Sequence, residues 1–288
     1  CTFKIMSFCY ILGNPRSGTS LFRLMLNAHP EMVAPPECGF IQWNHDLFKA
    51  ADFKDSDQRK AFAKAVLESK KMETWGLDIN QLVHAFDRII EPSYQLLCEA
   101  VFQAYHSHKG HRSEASALID KNNYYLDFLD EIHAAMPHAK YLHLVRDVRD
   151  VACSYLALKE KAHQGKYAPK LSSSLEEISK NWCANNEKTT AFLSDKNHFV
   201  VRYEDLLRAP EEELGKVCAF LGLQYHPQMA TYYLLNDEPA ETIGWKKKTL
   251  EPVDPKRAGA FRNTLDMDAQ NLLWNLSKDT LEKFGYSA

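Results

Sequence analysis

A short segment near the start of the chain combines a turn with side chains that bind anions. Residues 8–20 read FCYILGNPRSGTS, so an apolar run enters a turn that ends at Gly18 and a helical pattern follows. A helix N-terminus presents backbone N–H groups and the positive end of its dipole to an anion. The hydroxyls of Ser17, Thr19 and Ser20 add hydrogen-bond donors, and Arg16 adds a cation. The segment therefore predicts a phosphate-binding loop.

The loop differs from that of nucleoside triphosphatases at one position. Its spacing fits G-x-x-x-x-G up to Gly18. In those enzymes the next residue is a Lys that reaches the β- and γ-phosphates, and the hydroxyl after it holds magnesium. Thr19 stands in the place of that Lys, and Arg16 is the only cation inside the loop. The pattern favours a ligand with a single phosphate at this point over a triphosphate–magnesium complex.

Two motifs together resemble the sulfotransferases that use 3′-phosphoadenosine 5′-phosphosulfate (PAPS). The first, PRSGTS, matches that family's 5′-phosphosulfate loop, P-[RK]-[ST]-G-[ST]-[ST]. The second is LHLVRDVRDVACSYL, in which Arg146 ends a predicted strand and Ser154 follows eight residues later. The resemblance implies that residues 16–20 bind the 5′-phosphosulfate and that Arg146 and Ser154 bind the 3′-phosphate.

Two later segments resemble further cofactor-binding parts of the same family. In FVVRYEDLL, Tyr203 ends a predicted strand and precedes an acidic residue, as in the family's adenine and ribose region. In DPKRAGAFRNTL, Lys256 and Arg257 stand where the family's last cofactor loop offers basic residues. The resemblance implies that these three side chains contribute to PAPS binding.

The resemblance also implies a mechanism. In sulfuryl transfer, charge spreads over the oxygens of an SO₃-like group, so positioning and cations supply most of the rate. Arg16 and Lys121, which follows an apolar strand pattern, are the implied cations. The implied general base is Glu37, 21 residues after Arg16, as in the tyrosylprotein and bacterial branch, with His45 a distant second. The departing phosphate is neutralised by these cations and the helix dipole, so no metal is expected.

Alternating strands and helices must position these residues. Short apolar runs typical of buried strands are each followed by an amphipathic helical pattern, at residues 7–12, 116–120, 140–145 and 198–203. This alternation predicts an α/β fold with a parallel, doubly wound sheet and flanking helices. The carboxyl ends of such strands are where open sheets bind ligands. The resemblance specifies the P-loop NTPase-like sulfotransferase fold.

The remaining segments predict the organisation of the chain. Residues 42–110 carry helical patterns and predict a helical insertion after the first strand–helix unit. The resemblance implies that this insertion lies on the acceptor side. Residues 163–174 are polar and turn-rich, which predicts a mobile surface loop. With no internal repeat and no linker, we expect one domain over residues 1–288.

Composition limits the partners and the compartment. The chain has 35 Lys and Arg against 38 Asp and Glu, so its net charge of −3 gives no reason to expect nucleic acid or an anionic membrane as a partner. It has no apolar run long enough to span a bilayer and no signal-peptide pattern. Seven cysteines without a C-x-x-C pair argue against a disulfide framework or a zinc site. A cytoplasmic location is expected.

Two other functions are compatible with the phosphate-binding loop. A P-loop kinase that uses ATP and magnesium on a small molecule shares the strand–loop–helix unit, although Thr19 weighs against it. A binding module that holds a nucleotide without chemistry is the second alternative. For a sulfotransferase, the hydroxyl acceptor is left open between a small molecule, a carrier-bound chain and a tyrosine.

Overall fold

Five parallel strands form the centre of the fold in this computed structural model, which describes residues 6–159, 172, 174–239 and 247–288. The strands are β1 (Ser7–Leu12), β2 (Met32–Val33), β3 (Ala117–Lys121), β4 (Lys140–Val145) and β5 (His198–Arg202). Their order is β2-β3-β1-β4-β5. The order reverses around β1, so the carboxyl end of β1 lies at a switch point of the sheet, where α/β proteins bind ligands.

Helices connect the strands and cover the sheet. Those before β3 are α1 (Thr19–Asn27), α2 (Phe40–Phe48), α3 (Ser56–Glu68), α4 (Ile79–Asp87) and α5 (Tyr94–His108). Those after it are α6 (Leu129–Ala135), α7 (Val148–Lys159), α8 (Leu175–Leu193), α9 (Tyr203–Arg208), α10 (Pro210–Leu221), α11 (Phe261–Thr264) and α12 (Met267–Lys283). Short 3₁₀ helices lie at Met72–Trp75, Asn123–Asp127, Pro227–Leu235, Lys247–Leu250 and Pro255–Arg257.

Strand β1 separates two hydrophobic cores. Phe8, Tyr10 and Leu12 face a core shared with α2 to α6, whereas Cys9 and Ile11 face a core shared with α1, α9 and α10. Side chains alternate between the faces of a strand, so a strand that is apolar at every position must be covered on both sides. This burial holds the carboxyl end of β1, and the loop that follows it, in a fixed place.

The structure confirms the predicted fold class. The four predicted strands agree with β1, β3, β4 and β5 to within one residue, and four helices lie between Phe40 and His108, where the helical insertion was expected. Strand β2 was missed because two residues are too few to show a period. The predicted loop at 163–174 lies outside the described residues, except for 172 and 174. The single domain and the acceptor-side role of 42–110 remain predictions.

In the described part of the chain, no helix combines the length and the apolarity needed to cross a bilayer.

Candidate active site

The loop between β1 and α1 is held by contacts at both of its ends. Arg16 and Gly18 adopt left-handed backbone conformations, with φ of 72° and 97°. A Cβ on Gly18 would overlap the ring of Tyr203, so both its backbone and its surroundings require glycine. At the other end, the side-chain amide of Asn185 donates to Asn14 Oδ1 at 2.8 Å. The loop is thus a rigid turn that leads into the N-terminus of α1.

The structure brings the two predicted cofactor motifs into contact. Arg16 Nε donates to Ser154 Oγ on α7 at 3.1 Å, and Arg146 Nη1 donates to the backbone oxygen of Arg16 at 3.1 Å. Trp182 Nε1 donates to the backbone oxygen of Arg146 at 3.0 Å, which fixes the turn between β4 and α7. Residues about 130 positions apart therefore form one cluster at the carboxyl ends of β1 and β4.

The electrostatics of this cluster favour an anion. Burial, together with the nearby charge of Arg146, lowers the pKa of Arg16. Two polar atoms, Ser17 Oγ and Arg146 Nε, are buried with no hydrogen-bond partner among the described residues. Buried donors normally have partners, and adjacent guanidinium groups repel each other. A bound phosphate would satisfy the donors and offset the repulsion, so the residues present fit a phosphate-bearing ligand.

Tyr203 and Glu204, at the start of α9, contact the residues of this cluster. Tyr203 is the first residue of α9 and is buried, and the guanidinium of Arg146 lies 4.4 Å from the centre of its ring. Glu204, also buried, accepts hydrogen bonds from the N–H of Asp147 at 3.0 Å and from the hydroxyl of Tyr286 at 2.7 Å. Tyr203 thus orients Arg146 by stacking, and Glu204 anchors the start of α7.

A second cluster joins the loop to the predicted base. Lys121, the last residue of β3, donates to Ser20 Oγ at 3.3 Å and forms an ion pair with Oε1 of Glu37. Lys71, which no sequence motif indicated, lies with its Nζ 2.8 Å from Oε2 of the same carboxylate. The Lys121 side chain is 1% exposed, whereas the Glu37 side chain is 20% and the Lys71 side chain 24% exposed, so the carboxylate and Lys71 reach solvent and Lys121 does not. The predicted base, the predicted second cation and the predicted phosphate-binding loop are therefore adjacent.

Polar contacts from the segment after β3 hold this second cluster. Asn122 donates to the backbone oxygen of Cys38 at 3.2 Å and to Asp120 Oδ1 at 2.8 Å. Burial raises the pKa of Asp120 to about 7, although the hydroxyl of Tyr125 donates to Oδ2 at 2.7 Å. The segment that carries Glu37 is thus tied to the strand that carries Lys121.

An aromatic pair lies beside the predicted base. The rings of Trp43 and Tyr124 stack with centroids 5.6 Å apart, and Tyr124 donates to the backbone oxygen of Gly39 at 3.3 Å. A Cβ on Gly39 would overlap Tyr124, so glycine is needed two residues after Glu37. Trp43 is 38% exposed and presents an apolar surface beside the segment that carries Glu37.

The other predicted site residues lie as follows. Thr19 Oγ1 donates to Asn123 Oδ1 at 3.0 Å, which links the loop to the 3₁₀ helix after β3. Lys256 is exposed, and Arg257 Nη2 lies 3.3 Å from Glu251 Oε2, in a 3₁₀ helix that packs against α9. His45 is in α2 with its ring against Tyr94, not against the Glu37 cluster. The cofactor roles of Lys256 and Arg257 remain predictions.

The loop that carries Lys256 and Arg257 is nevertheless joined to the second cofactor motif. The carboxylate of Asp150, on α7, accepts hydrogen bonds from the N–H groups of Gly259 at 2.7 Å and Phe261 at 2.9 Å. Asp150 is one turn before Ser154 on the same helix. The C-terminal loop is therefore held near the start of α7.

Across residues 6–159, 172, 174–239 and 247–288, carboxylate, His and Cys side chains form no group of three or more in an arrangement that would hold a metal ion.

The sheet order, the phosphate loop at the switch point and the paired arginines define an anion-binding α/β protein of P-loop-like architecture. Residues 9–227 match the model of a group described as the Sulfotransferase family. Since this match covers more than half of the chain, the protein belongs to that family.

Similar proteins agree with this assignment. The chain is 27% identical to the nodulation protein NoeE of Sinorhizobium fredii, over 96% of this chain and 65% of NoeE. It is 25% identical to a putative protein-tyrosine sulfotransferase of Caenorhabditis briggsae, over 78% of this chain and 69% of that protein. The chain thus spans about two thirds of these relatives. The sulfotransferase domain of the Synechococcus PCC 7002 olefin synthase shares the fold, with a TM-score of 0.62, 23% identity and coverage of 100% of this chain and 98% of that one.

Proposed function

We propose that this protein is a sulfotransferase that moves the sulfuryl group of PAPS to a hydroxyl of an acceptor. The acceptor oxygen forms the new bond to sulfur while the bond from sulfur to the 5′-phosphate oxygen breaks. The electron pair of that bond leaves with 3′-phosphoadenosine 5′-phosphate (PAP). Glu37 takes the proton of the acceptor, and Arg16 and Lys121 stabilise the charge that develops on the transferred group.

The contact of Lys121 with both Ser20 and Glu37 is the observation that carries this proposal. It joins the anion-binding loop to a partly exposed carboxylate through a buried cation. Transfer requires the base and the cation to be held beside the group that the loop binds. Here Ser20, Lys121 and Glu37 meet although they come from three separate segments of the chain. A nucleotide-binding module without chemistry gives no reason to bury a lysine between a phosphate loop and a carboxylate.

The cofactor sites follow from the two motif clusters. Residues 16–20 and the N-terminus of α1 would hold the 5′-phosphosulfate, and Arg146 and Ser154 the 3′-phosphate. Tyr203 holds Arg146 in place, and Lys256 and Arg257 are on a loop joined to α7. Support for PAPS comes from the family to which the chain belongs and from the buried donors without partners, Ser17 Oγ and Arg146 Nε, among the described residues.

The proposed acceptor is a compound with a hydroxyl group, and several kinds of hydroxyl compound are candidates. One relative is described as a putative protein-tyrosine sulfotransferase, and one similar structure is a domain of an olefin synthase. A tyrosine, a carrier-bound hydroxyl and a small phenol are therefore the first acceptors to test. The cytoplasmic location predicted from the sequence stays a prediction.

Calorimetric titration tests the donor. We expect PAP to bind without magnesium and at least about tenfold more tightly than ATP, because only PAP offers a 3′-phosphate to Arg146 and Ser154. Magnesium-dependent ATP binding with no preference for PAP would instead support the P-loop kinase. Transfer of ³⁵S from labelled PAPS to a tyrosine peptide, a β-hydroxyacyl pantetheine thioester or 4-nitrophenol then tests the reaction. Binding of PAP with no transfer to any of these acceptors would favour the non-catalytic module. Transfer that is unchanged in Glu37→Ala and Lys121→Ala would instead overturn the assignment of these two residues.

A further inference from the structure

Lys71 makes the second ion pair to the predicted base. It lies between α3 and the 3₁₀ helix Met72–Trp75, and its Nζ is 2.8 Å from Glu37 Oε2, while Lys121 pairs with Oε1. The two lysines approach from different segments, one from the helical insertion and one from the end of β3. Each oxygen of the carboxylate therefore has a cation of its own.

The backbone at Lys71 has a conformation that usually belongs to glycine. Its φ is 73°, in the left-handed region. Its carbonyl oxygen accepts hydrogen bonds from the N–H of Thr74 at 3.0 Å and from the hydroxyl of Thr74 at 2.7 Å, and these bonds hold the turn. Residues with positive φ that are not glycine are concentrated at functional sites. Here the strained turn directs the lysine side chain toward Glu37.

The charges around Glu37 come from three segments. Lys121 and Asp120 belong to β3, Lys71 follows α3, and Arg16 in the phosphate loop is close enough to interact electrostatically with the carboxylate. The two ion pairs, from Lys71 and Lys121, favour the ionised form of Glu37. An ionised carboxylate is the form required of a general base.

We propose that Lys71 is a positioning residue that holds Glu37 by Oε2 so that Oε1 takes the acceptor's proton. This inference rests on the proposed function. With PAPS bound, Lys121 turns its ammonium from Oε1 toward the sulfonate oxygens. Lys71, on the opposite side of the carboxylate, keeps Glu37 in place and ionised. The proton of the acceptor hydroxyl then goes to the oxygen that Lys121 has left.

The pairing can be tested without turnover. We would label the glutamate Cδ atoms with ¹³C, assign the signal of Glu37 with Glu37→Gln, and titrate it by NMR. Lys71→Met should raise the measured pKa of Glu37 by about one pH unit or more, because a cation beside the ionised form is lost. Lys71→Arg should restore most of the wild-type value. Lys64→Met is the matched control, because it removes an exposed lysine of α3 that pairs with Glu68 at 3.8 Å. It should leave the measured pKa of Glu37 unchanged.

Bound PAPS provides the second arm of the experiment. If Lys121 turns to the sulfonate, the effect of Lys71→Met on the Glu37 titration should be larger with PAPS than with PAP, which has no sulfonate. Lys71→Gly serves as the folding control, since glycine fits a positive φ and removes only the side chain. An unchanged Glu37 titration in both Lys71→Met and Lys71→Gly would overturn the proposal.

A pH profile separates this proposal from the proposed function. With any acceptor that accepts ³⁵S, Lys71→Met should move the acid limb of kcat to higher pH while calorimetric PAP affinity stays within about twofold of wild type. A reduced kcat with an unmoved acid limb would overturn the positioning role and leave the sulfotransferase intact. A Glu37 titration that responds to Lys71 in a protein that binds no PAP would overturn the proposed function instead.

Discussion

Arg16 and Ser154, 138 positions apart in the chain, are joined by a hydrogen bond of 3.1 Å between Nε and Oγ. One residue belongs to the loop after β1 and the other to the helix after β4, the neighbour of β1 in the sheet. The bond holds the two predicted phosphate sites at a fixed separation. A ligand with phosphates at both of its ends therefore meets a preformed site.

The first prediction concerns the 3′-phosphate. Arg146→Met removes a guanidinium whose Nε has no partner among the described residues. The affinity for PAP should fall about 10- to 100-fold, which corresponds to the loss of one or two charge-assisted hydrogen bonds. The affinity for adenosine 5′-phosphate, which lacks the 3′-phosphate, should change less than about threefold, and calorimetry measures both.

Arg208→Met is the control for this measurement, since Arg208 is an exposed arginine at the end of α9 with a weak contact to Asp205. If Arg146→Met lowered the affinities for PAP and for adenosine 5′-phosphate equally, the side chain would contribute only to the general shape of the site.

The second prediction concerns turnover. Glu37→Gln and Lys121→Met should each lower kcat about 100-fold or more, because one removes the proton acceptor and the other a cation that acts in the transition state. PAP affinity should stay within about threefold, since neither side chain is predicted to bind the nucleotide's phosphates. Transfer of ³⁵S and calorimetry on the same preparations provide the two values. Wild-type kcat in Glu37→Gln would show that another group takes the proton.

The third prediction concerns the backbone of the loop. Gly18→Ala introduces a Cβ at a φ of 97° and against the ring of Tyr203, so the free energy of unfolding should fall by about 1–3 kcal/mol and PAP binding should be lost. Gly215→Ala in α10 is the matched control, because a Cβ there meets no atom within 4 Å. It should raise stability by about 0.5–1 kcal/mol. Urea denaturation measures both, and equal midpoints for the two variants would contradict the account of Gly18.

The fourth prediction concerns pH. Burial raises the pKa of Asp120 to about 7 from an ordinary value of 3.8. Between these values the folded protein keeps a proton that the unfolded chain has released, so the contribution of Asp120 to stability is full below pH 3.8 and is lost as pH rises through about 7. Relative to Asp120→Asn, which cannot titrate, the wild type should lose up to about 4 kcal/mol across that interval.

Urea unfolding of the wild type and of Asp120→Asn at several pH values between 4 and 8 measures this loss of stability. The other carboxylates are present in both proteins, so their contributions to the free energy of unfolding cancel in the difference. Curves that stay parallel would show that Asp120 ionises in the folded protein as it does in the unfolded chain.

Much of the fold and part of the site could be predicted from the sequence alone. Strand β1 and the loop after it are local patterns, because an apolar run, a Gly-containing turn and the start of a helix are recorded in consecutive residues. The spacing of Arg146 and Ser154, and the position of Lys121 at the end of a strand, are also local patterns that can be recognised in the sequence. A local pattern specifies which residues share a loop or a helix face, and so it indicated that an anion binds beside residues 16–20.

The tertiary structure decided the relationships between distant segments. Three contacts depend on how the helices pack on the sheet. Lys71 pairs with Glu37, and Asn123 accepts a hydrogen bond from Thr19. Tyr203 lies against Gly18 and stacks on Arg146. The raised pKa of Asp120 likewise arises from burial under elements that are distant in the sequence. Strand β2 exists only because β3 offers it an edge to pair with. Short motifs in the sequence identify the residues of the predicted site. The distances between these residues depend on long-range packing, which leaves no periodic signal in the sequence.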